Sequence, residues 1–334
     1  MRKIALAVAL AFACFLSIIL VSRPDVKPTS DISYKTIIVP PGVYSTEETE
    51  LVIPSSLPSI LTEMPCLRVI YENIDNEFVK GVAENIFGFS GEVEEESDIL
   101  SIADGGCLGI KSPHSSLTIY RSGKVVYHRD PTGLPPVTTL TNEEAVIVVE
   151  NLLEKMEACG LMPKNPDVKI EFSSVGPGSI TTIPDVWREN HYENIRNIDY
   201  LSVEYQIKFR EFPIYSAAVG ASVREGGIIT GSALVWRSFE EEDGRIAVAA
   251  PEEILDRLSS GQVITRPLSS IKTIKIEGVR LGYYLARLTE QQDYLTPVCL
   301  FDSVFTDTDG SEHSETLLVP AAVEPEQWAP SSLV

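Results

Sequence analysis

The chain has 334 residues, of which 44% are hydrophobic, and this is enough for one or two domains with buried cores. It carries 48 acidic against 27 basic residues, a formal net charge of −21 at pH 7. We expect no nucleic-acid partner, because phosphate binding requires a concentrated basic surface.

Residues 1–22 have the pattern of a targeting or anchoring element. Arg2 and Lys3 precede an uncharged apolar run at 4–21, which is longer than a usual signal-peptide core and is at the lower limit for crossing a bilayer. No A-x-A cleavage site follows the run, which favours an uncleaved signal anchor. We therefore predict a single-pass protein of the cell membrane, held through residues 4–21, with the bulk of the chain extracytoplasmic. The alternative is secretion after signal cleavage.

Proline, serine and threonine are frequent in residues 23–60, which predicts an extended tether. Three helices follow. The first is predicted at 75–87, before Gly88. The second begins with a capping box of Thr141 and Glu144, and the third has Pro251 at its first position.

After each helix the apolar period changes to two, which is typical of strands. Residues 201–209 alternate most clearly, hairpin turns are predicted at 122–123 and 225–227, and residues 281–301 suggest two strands of one meander. The resulting prediction is an α+β fold of repeated units after an N-terminal anchor, each a helix plus an antiparallel meander. Its domains are 61–138, an N-terminal α+β unit, and 139–325, a C-terminal domain of two units, followed by a tail at 326–334.

Several stretches of the C-terminal two-thirds resemble a known family: "LTNEEAVIVVENLLEKMEACGLMP", the strands after Phe212-Pro213, "APEEILDRLSSG" and "LGYYLARLTEQQDYLTPVCLFDSV". They resemble the PepSY-like repeats of exported proteins, and in particular the YycH/YycI class of membrane-anchored extracytoplasmic proteins. The resemblance implies a regulatory role through contact with a membrane-bound sensor kinase; PepSY modules elsewhere are propeptide-like inhibitors of secreted peptidases. It offers no catalytic motif.

Metal and cofactor signals are sparse. None of the four histidines is paired at metal-ligand spacing, and we expect no cofactor. The stretch "DTDGSEHSE" places Asp307, Asp309 and Glu312 around Gly310, a weak candidate for calcium. The predicted flanks are strands rather than helices, so a hairpin turn at Asp309-Gly310 is the favoured interpretation.

A polar and aromatic stretch from residue 184 onward is the best candidate for contact with a protein, since interfaces are enriched in aromatic residues and arginine. Its candidate residues are Trp187, Arg188, His191, Tyr192 and Arg196. The alternative is an ordinary surface loop packed by Trp187.

Four cysteines follow the anchor, at spacings that define neither a metal site nor a C-x-x-C redox motif. They are Cys66, Cys107, Cys159 and Cys299. Both disulfides, which an exported protein can form, and buried thiols are compatible with the sequence.

Two functional hypotheses remain. The first is a non-catalytic, membrane-anchored extracytoplasmic interaction or regulatory module that binds a membrane or secreted protein. The alternative is an extracytoplasmic hydrolase of unfamiliar type that uses clustered carboxylates such as Asp307, Asp309 and Glu312. A concave pocket with convergent polar groups would distinguish them by its chemistry.

Overall fold

A computed structural model of the chain describes residues 32–36, 49–53, 60–96, 105–135, 137–180, 198–264, 271–286 and 292–327. Within these residues no helix has the length and apolar content needed to cross a membrane. The predicted anchor at 1–22 lies outside the described residues.

The three predicted helices are confirmed: α1 is Asn76–Phe87, α2 is Asn142–Ala158 and α3 is Pro251–Ser259. Their ends follow local chemistry. In the capping box of α2, Thr141 Oγ1 accepts a hydrogen bond from the N–H of Glu144 at 3.2 Å, and the Glu144 carboxylate accepts one from the N–H of Thr141 at 2.9 Å.

The strands in chain order are β1 (Ile32–Thr36), β2 (Thr49–Ile53), β3 (Glu63–Val69), β4 (Glu92–Glu96), β5 (Cys107–Lys111), β6 (Ser115–Tyr120), β7 (Val125–Arg129), β8 (Val168–Ile180), β9 (Ile198–Phe209), β10 (Phe212–Arg224), β11 (Ile228–Val235), β12 (Phe239–Ala247), β13 (Ile271–Tyr284), β14 (Thr296–Asp307) and β15 (Glu312–Pro320). The predicted turns at 122–123 and 225–227 join β6 to β7 and β10 to β11.

The chain divides into two compact units. Unit 1 comprises 1–59, 266–279 and 302–315, and unit 2 comprises 60–265, 280–301 and 316–334. In unit 1, β1 pairs antiparallel with β2, and β2 pairs parallel with the first part of β13. The buried hydroxyl of Thr49 donates to the carbonyl of Ile271 at 3.0 Å, which fastens the start of β2 to the start of β13.

Unit 2 contains a large mixed sheet. Its strands follow the order β8, β9, β10, β11, β7, β6, β5 and β4, all antiparallel to their neighbours. β10 also pairs parallel with the end of β13, where Ile214 lies opposite Tyr283. A separate two-stranded sheet pairs β12 with β3.

The predicted fold class is wrong. The described chain is mostly β and is built on a large mixed sheet, not on repeated units of a helix and its following meander. Neighbouring strands do pair from β4 to β7 and from β8 to β11, but the pairing does not stop at the predicted units, since β11 pairs with β7 and β12 pairs with β3. Period-two alternation identifies a strand and its buried face, but it does not identify the strand's partner.

Helix α2 covers one face of this sheet, where it packs on β8, β9 and β10. Its buried stripe is Ala145, Val149, Leu152 and Met156, while Val148 is only half-buried. Val203, Tyr205 and Ile207 of β9 are buried. Alternate β9 residues face one side of the sheet, and the helix covers that side.

Two adjacent residues of opposite charge hold the segment 134–140 that leads into α2. The buried Arg224 guanidinium donates to the carbonyls of Leu134 and Pro135, at distances between 2.7 and 3.1 Å. The Glu225 carboxylate accepts from the N–H groups of residues 138, 139 and 140 at 2.7, 3.0 and 3.4 Å. The cation thus binds backbone acceptors and the anion binds backbone donors, which positions the start of α2.

Candidate functional site

The candidate site is a cleft of about 200 Å³ in unit 2, here called the Trp236 cleft. Four stretches of chain meet there: 70–78 from the end of β3 into α1, the β6–β7 turn, 160–165 after α2, and 236–239 between β11 and β12. Its apolar lining includes Ile70, Ile74, Phe78, Met162, Trp236 and Phe239, and its polar lining is Glu72, Lys164, Asn165 and Ser238.

Aromatic rings form the base of the cleft. Trp236 is 3% exposed and Phe239 is 6% exposed, with their ring centroids 5.0 Å apart. The β6–β7 turn approaches Trp236 closely, because a Cβ on Gly123 would lie 3.0 Å from Trp236 Cδ1 and 2.9 Å from Ser238 Oγ. Gly123 also has a φ of 99°, so a side chain at this turn would displace the indole and strain the backbone.

A lysine already lies against one of the aromatic lining residues. The Lys124 ammonium lies 4.4 Å from the ring centroid of Tyr120, a cation–π arrangement, and Lys124 is only 8% exposed. The most buried rings of the lining, Trp236 and Phe239, are apolar, so the base of the cleft is suited to an uncharged, apolar group.

The charged groups lie at the mouth. Ser238 Oγ donates to Glu72 Oε1 at 3.2 Å, and Lys164 Nζ lies 3.8 Å from Glu72 Oε2. The Glu72 side chain is 43% exposed and that of Lys164 is 73% exposed. The backbone holds Glu72 in place, since its N–H donates to the carbonyl of Arg121 at 2.7 Å. The cleft thus combines an apolar base with a fixed carboxylate at its rim.

Two edge strands of the large sheet, β4 and β8, have features that oppose the pairing of a further strand. Among the described strands β4 pairs only with β5, and its residues Glu92, Glu94 and Glu95 are exposed. β8 pairs only with β9 among those strands, and its register shifts between Phe172 and Ser174. Edge charges and bulges are devices that oppose the addition of a further strand.

The predicted carboxylate cluster forms a hairpin turn between β14 and β15. Asp309 Oδ1 accepts from the N–H of Ser311 at 2.9 Å and from its hydroxyl at 2.8 Å, and these bonds lower the pKa of Asp309. Asp307 Oδ2 accepts from the same hydroxyl at 3.1 Å. Glu312 begins β15 and is exposed. Asp307 and Asp309 thus meet at Ser311 and hold the turn.

A histidine and a further carboxylate lie beside this turn. His313 lies 3.6 Å from Asp307 and 3.3 Å from Glu315. Across the described ranges, no group of three or more histidine, cysteine, aspartate or glutamate side chains is arranged to hold a metal ion.

The other sequence-predicted residues fall elsewhere. The candidate contact residues Trp187, Arg188, His191, Tyr192 and Arg196 lie outside the described residues. No disulfide joins any two of Cys66, Cys107, Cys159 and Cys299. Burial raises the pKa of the Cys299 thiol to about 12 and also raises that of Cys66, which keeps both protonated and weakly reactive.

Sequence reasoning missed the Trp236 cleft. Its residues come from four distant stretches, and the pairing of β12 with β3 brings two of them together. The only local signal was a tryptophan with polar neighbours, "WRSF" at 236–239, directly after β11.

Comparison with known proteins adds little to this geometry. No protein-family model matches the chain, and no curated protein matches it. Among solved structures, the chain is similar to the crystal structure of an uncharacterized protein from Eubacterium rectale ATCC 33656, with a TM-score of 0.44 and 11% sequence identity over 87% of this chain and 92% of that chain.

Proposed function

We propose that the protein is a non-catalytic, membrane-anchored extracytoplasmic binding module whose partner is a membrane or secreted protein. The Trp236 cleft is the observation that carries this proposal. An apolar, aromatic pocket with a polar rim is the form that receives an anchoring side chain at protein interfaces. At about 200 Å³ the cleft is smaller than the roughly 300–1,000 Å³ of pockets for drug-sized ligands, and it suits a single side chain.

The lining of the cleft supports an interface. Ile70, Ile74, Phe78 and Met162 are each half-buried, so apolar surface remains in contact with solvent around the opening. Aromatic residues and methionine are enriched at the centres of protein interfaces, where they are desolvated by the partner. A partner that covered the opening would bury this surface and gain hydrophobic free energy.

The chemistry of the cleft supports binding rather than catalysis. Its described lining contains one carboxylate, Glu72, and no histidine or cysteine. Ser238 donates its hydroxyl hydrogen to that carboxylate, but the described lining has no histidine to act as the base that activates a serine in the usual hydrolase triad. The alternative hydrolase would use Asp307, Asp309 and Glu312, and the first two are engaged in a hairpin turn.

Location and role complete the proposal. The apolar run at 4–21 anchors the chain, and residues 23–31 connect it to the folded units. The connection is shorter than the predicted tether at 23–60, because β1 and β2 pair within unit 1. The resemblance to the YycH/YycI class favours a regulatory form of binding, through a membrane-bound sensor protein.

Photo-crosslinking in native membranes tests the function. The full chain carries a crosslinking group beside the cleft, and it is compared with Met162→Glu, which places a carboxylate in the apolar lining, and with Met162→Leu, which keeps the lining apolar. We expect one protein to be crosslinked by the parent and by Met162→Leu and to be lost with Met162→Glu, while both variants unfold at the parental temperature.

Two outcomes would contradict the proposal. One is equal crosslinking of the same protein by Met162→Glu. The other is the absence of a specific partner together with a hydrolytic activity that disappears when Asp307 or Asp309 is changed, which would favour the enzyme.

A further inference from the structure

We propose that the Trp236 cleft binds the amino-terminal residue of its partner polypeptide, with an apolar first side chain against the aromatic base and the α-ammonium group on Glu72. This inference rests on the proposed function and names the part of the partner that the cleft recognises. An amino terminus is the one place in a polypeptide where a cation lies directly beside a side chain of any type.

The order of groups from solvent to the base of the cleft favours an amino-terminal residue. The Glu72 and Lys164 side chains are 43% and 73% exposed, whereas Trp236 is 3% exposed. A group that enters from solvent passes the charged pair before it reaches the rings. A ligand that fits this order has its charge at the mouth and its apolar part inside.

The same order argues against a lysine side chain as the ligand. Lysine carries its ammonium at the end of an apolar stem, so insertion would bring the cation to the base and leave only methylene groups beside Glu72. Its ammonium would lose its solvation against Trp236 and Phe239, where the described lining has no carboxylate to replace it. An amino-terminal residue with an apolar side chain avoids this cost and places its ammonium at the rim.

One oxygen of the Glu72 carboxylate is hydrogen-bonded, and the other has room for a closer cation. Oε1 is positioned by the Ser238 hydroxyl at 3.2 Å. Oε2 has Lys164 Nζ at 3.8 Å, which is beyond the 2.7–3.2 Å typical of an N–H···O hydrogen bond. Lys164 is therefore a loosely held surface cation, and an α-ammonium can take the place nearest Oε2 while Lys164 moves into solvent.

Asn165 supplies a further donor in the lining of the cleft. Its Oδ1 accepts from the N–H of Asp167 at 2.9 Å, which fixes the amide orientation and leaves the Nδ2 hydrogens to donate. Asn165 lines the cleft, so its amide suits the carbonyl oxygen of the ligand's first residue. Together Glu72 and Asn165 match one donor and one acceptor of an amino-terminal residue.

The test uses the full chain in detergent and ligand-observed NMR with the peptide Leu-Gly-Gly-Gly-Gly, amidated at its C-terminus. We expect the N-acetylated peptide to bind at least tenfold more weakly, since acetylation removes the cation. Glu72→Gln should weaken binding of the unmodified peptide to the same degree, Glu84→Gln on the exposed face of α1 should leave it unchanged, and Lys164→Ala should strengthen it.

The pH dependence provides a readout that a structural role for Glu72 would not produce. An α-amino group has a pKa of about 8. Affinity for the unmodified peptide should fall as the pH rises through that value, and affinity for the acetylated peptide should not change. Thermal unfolding of Glu72→Gln at the parental temperature would show that the fold is intact.

Three results would overturn the inference: equal binding of the acetylated and unmodified peptides, unchanged affinity in Glu72→Gln, or binding of free leucine as tight as that of the peptide, which would assign the cleft to amino acids. If no peptide binds while partner crosslinking still depends on Met162, the inference fails and the proposed function stands. If crosslinking is independent of Met162, the proposed function itself fails.

Discussion

The hydroxyl of Tyr283 donates a 2.7 Å hydrogen bond to the carbonyl oxygen of Pro65, 218 residues away along the chain. Tyr283 lies on β13 and is fully buried, and Pro65 lies on β3. Burial strongly raises the pKa of this phenol, so it stays protonated and remains a donor. Within unit 2, the bond ties the two-stranded sheet to the large mixed sheet.

Removal of this hydroxyl should destabilise the protein. We expect Tyr283→Phe to lower the free energy of unfolding by about 1–3 kcal/mol, because the Pro65 carbonyl would be left buried without its donor. Urea unfolding measures the change. The control is Tyr294→Phe, whose half-buried hydroxyl donates to Glu242 across a longer 3.4 Å, and it should lower stability less than Tyr283→Phe does. Equal stability of the two variants would count against the role of the buried bond.

One buried and one exposed position on helix α2 provide a test of how the helix packs on the sheet. Leu152 is 3% exposed and Ile147 is 55% exposed on the same helix. Leu152→Asp should cost several kcal/mol, because it buries a charge without a partner, while Ile147→Asp should be nearly neutral. Thermal unfolding compares them. A Leu152→Asp variant as stable as the parent would contradict the packing of α2 on β8, β9 and β10.

The Glu225 carboxylate should make stability depend on pH. Hydrogen bonds from the backbone N–H of Thr138 and from the hydroxyl and N–H of Thr139 lower its pKa from the ordinary 4.5 to about 2. A carboxyl whose pKa is lower in the folded state than in the unfolded state stabilises the fold at pH values above its unfolded-state pKa. This stabilisation is lost as the pH falls through its folded-state pKa. Glu225→Gln should therefore be less stable than the parent at pH 7, and the difference should shrink between pH 4.5 and pH 2.

Unfolding at a series of pH values checks this expectation. The control is Glu211→Gln at an exposed position in the β9–β10 turn, which should follow the parent at every pH. A Glu225→Gln difference that stayed constant down to pH 2 would mean that the carboxylate contributes through its shape and not through its charge.

Membrane fractionation tests the anchor. Because the apolar run at 4–21 lacks a processing site, the chain should stay in the membrane pellet after an alkaline wash and should retain its first residues. Release of a chain that begins near Arg23 would show that the segment is a cleaved signal.

Local chemistry made several elements predictable. Thr141 and Glu144 specify the start of α2 by their own side chains, and the glycines at 226 and 227, both with positive φ, specify the turn between β10 and β11. Asp309 and Gly310 did the same for the β14–β15 turn. Each of these features depends on residues within a few positions of one another, so one sequence contains all the required information.

Strand pairing was not predictable in this way. Nothing in "FEEEDGRIA" at 239–247 indicates that it pairs with "EMPCLRV" at 63–69, because neither stretch has a regular apolar alternation that would identify its buried face or its register. The Trp236 cleft depends on that pairing, since it brings residues 70–78 beside residues 236–239. Because this pairing was not predicted, the cleft was not predicted either, although Trp236 itself can be read from the sequence.

The distance between β3 and β12 has a consequence for how the chain is made. Arg68 and Glu240, which are opposite each other in this pairing, are 172 residues apart, so β3 is synthesised long before its partner exists. Until β12 arrives, Met64, Cys66 and Leu67 lack the strand beside them, and such long-range closures are slow. Cys66 is thus enclosed only when β12 pairs with β3, and until then its thiol is exposed along the nascent strand.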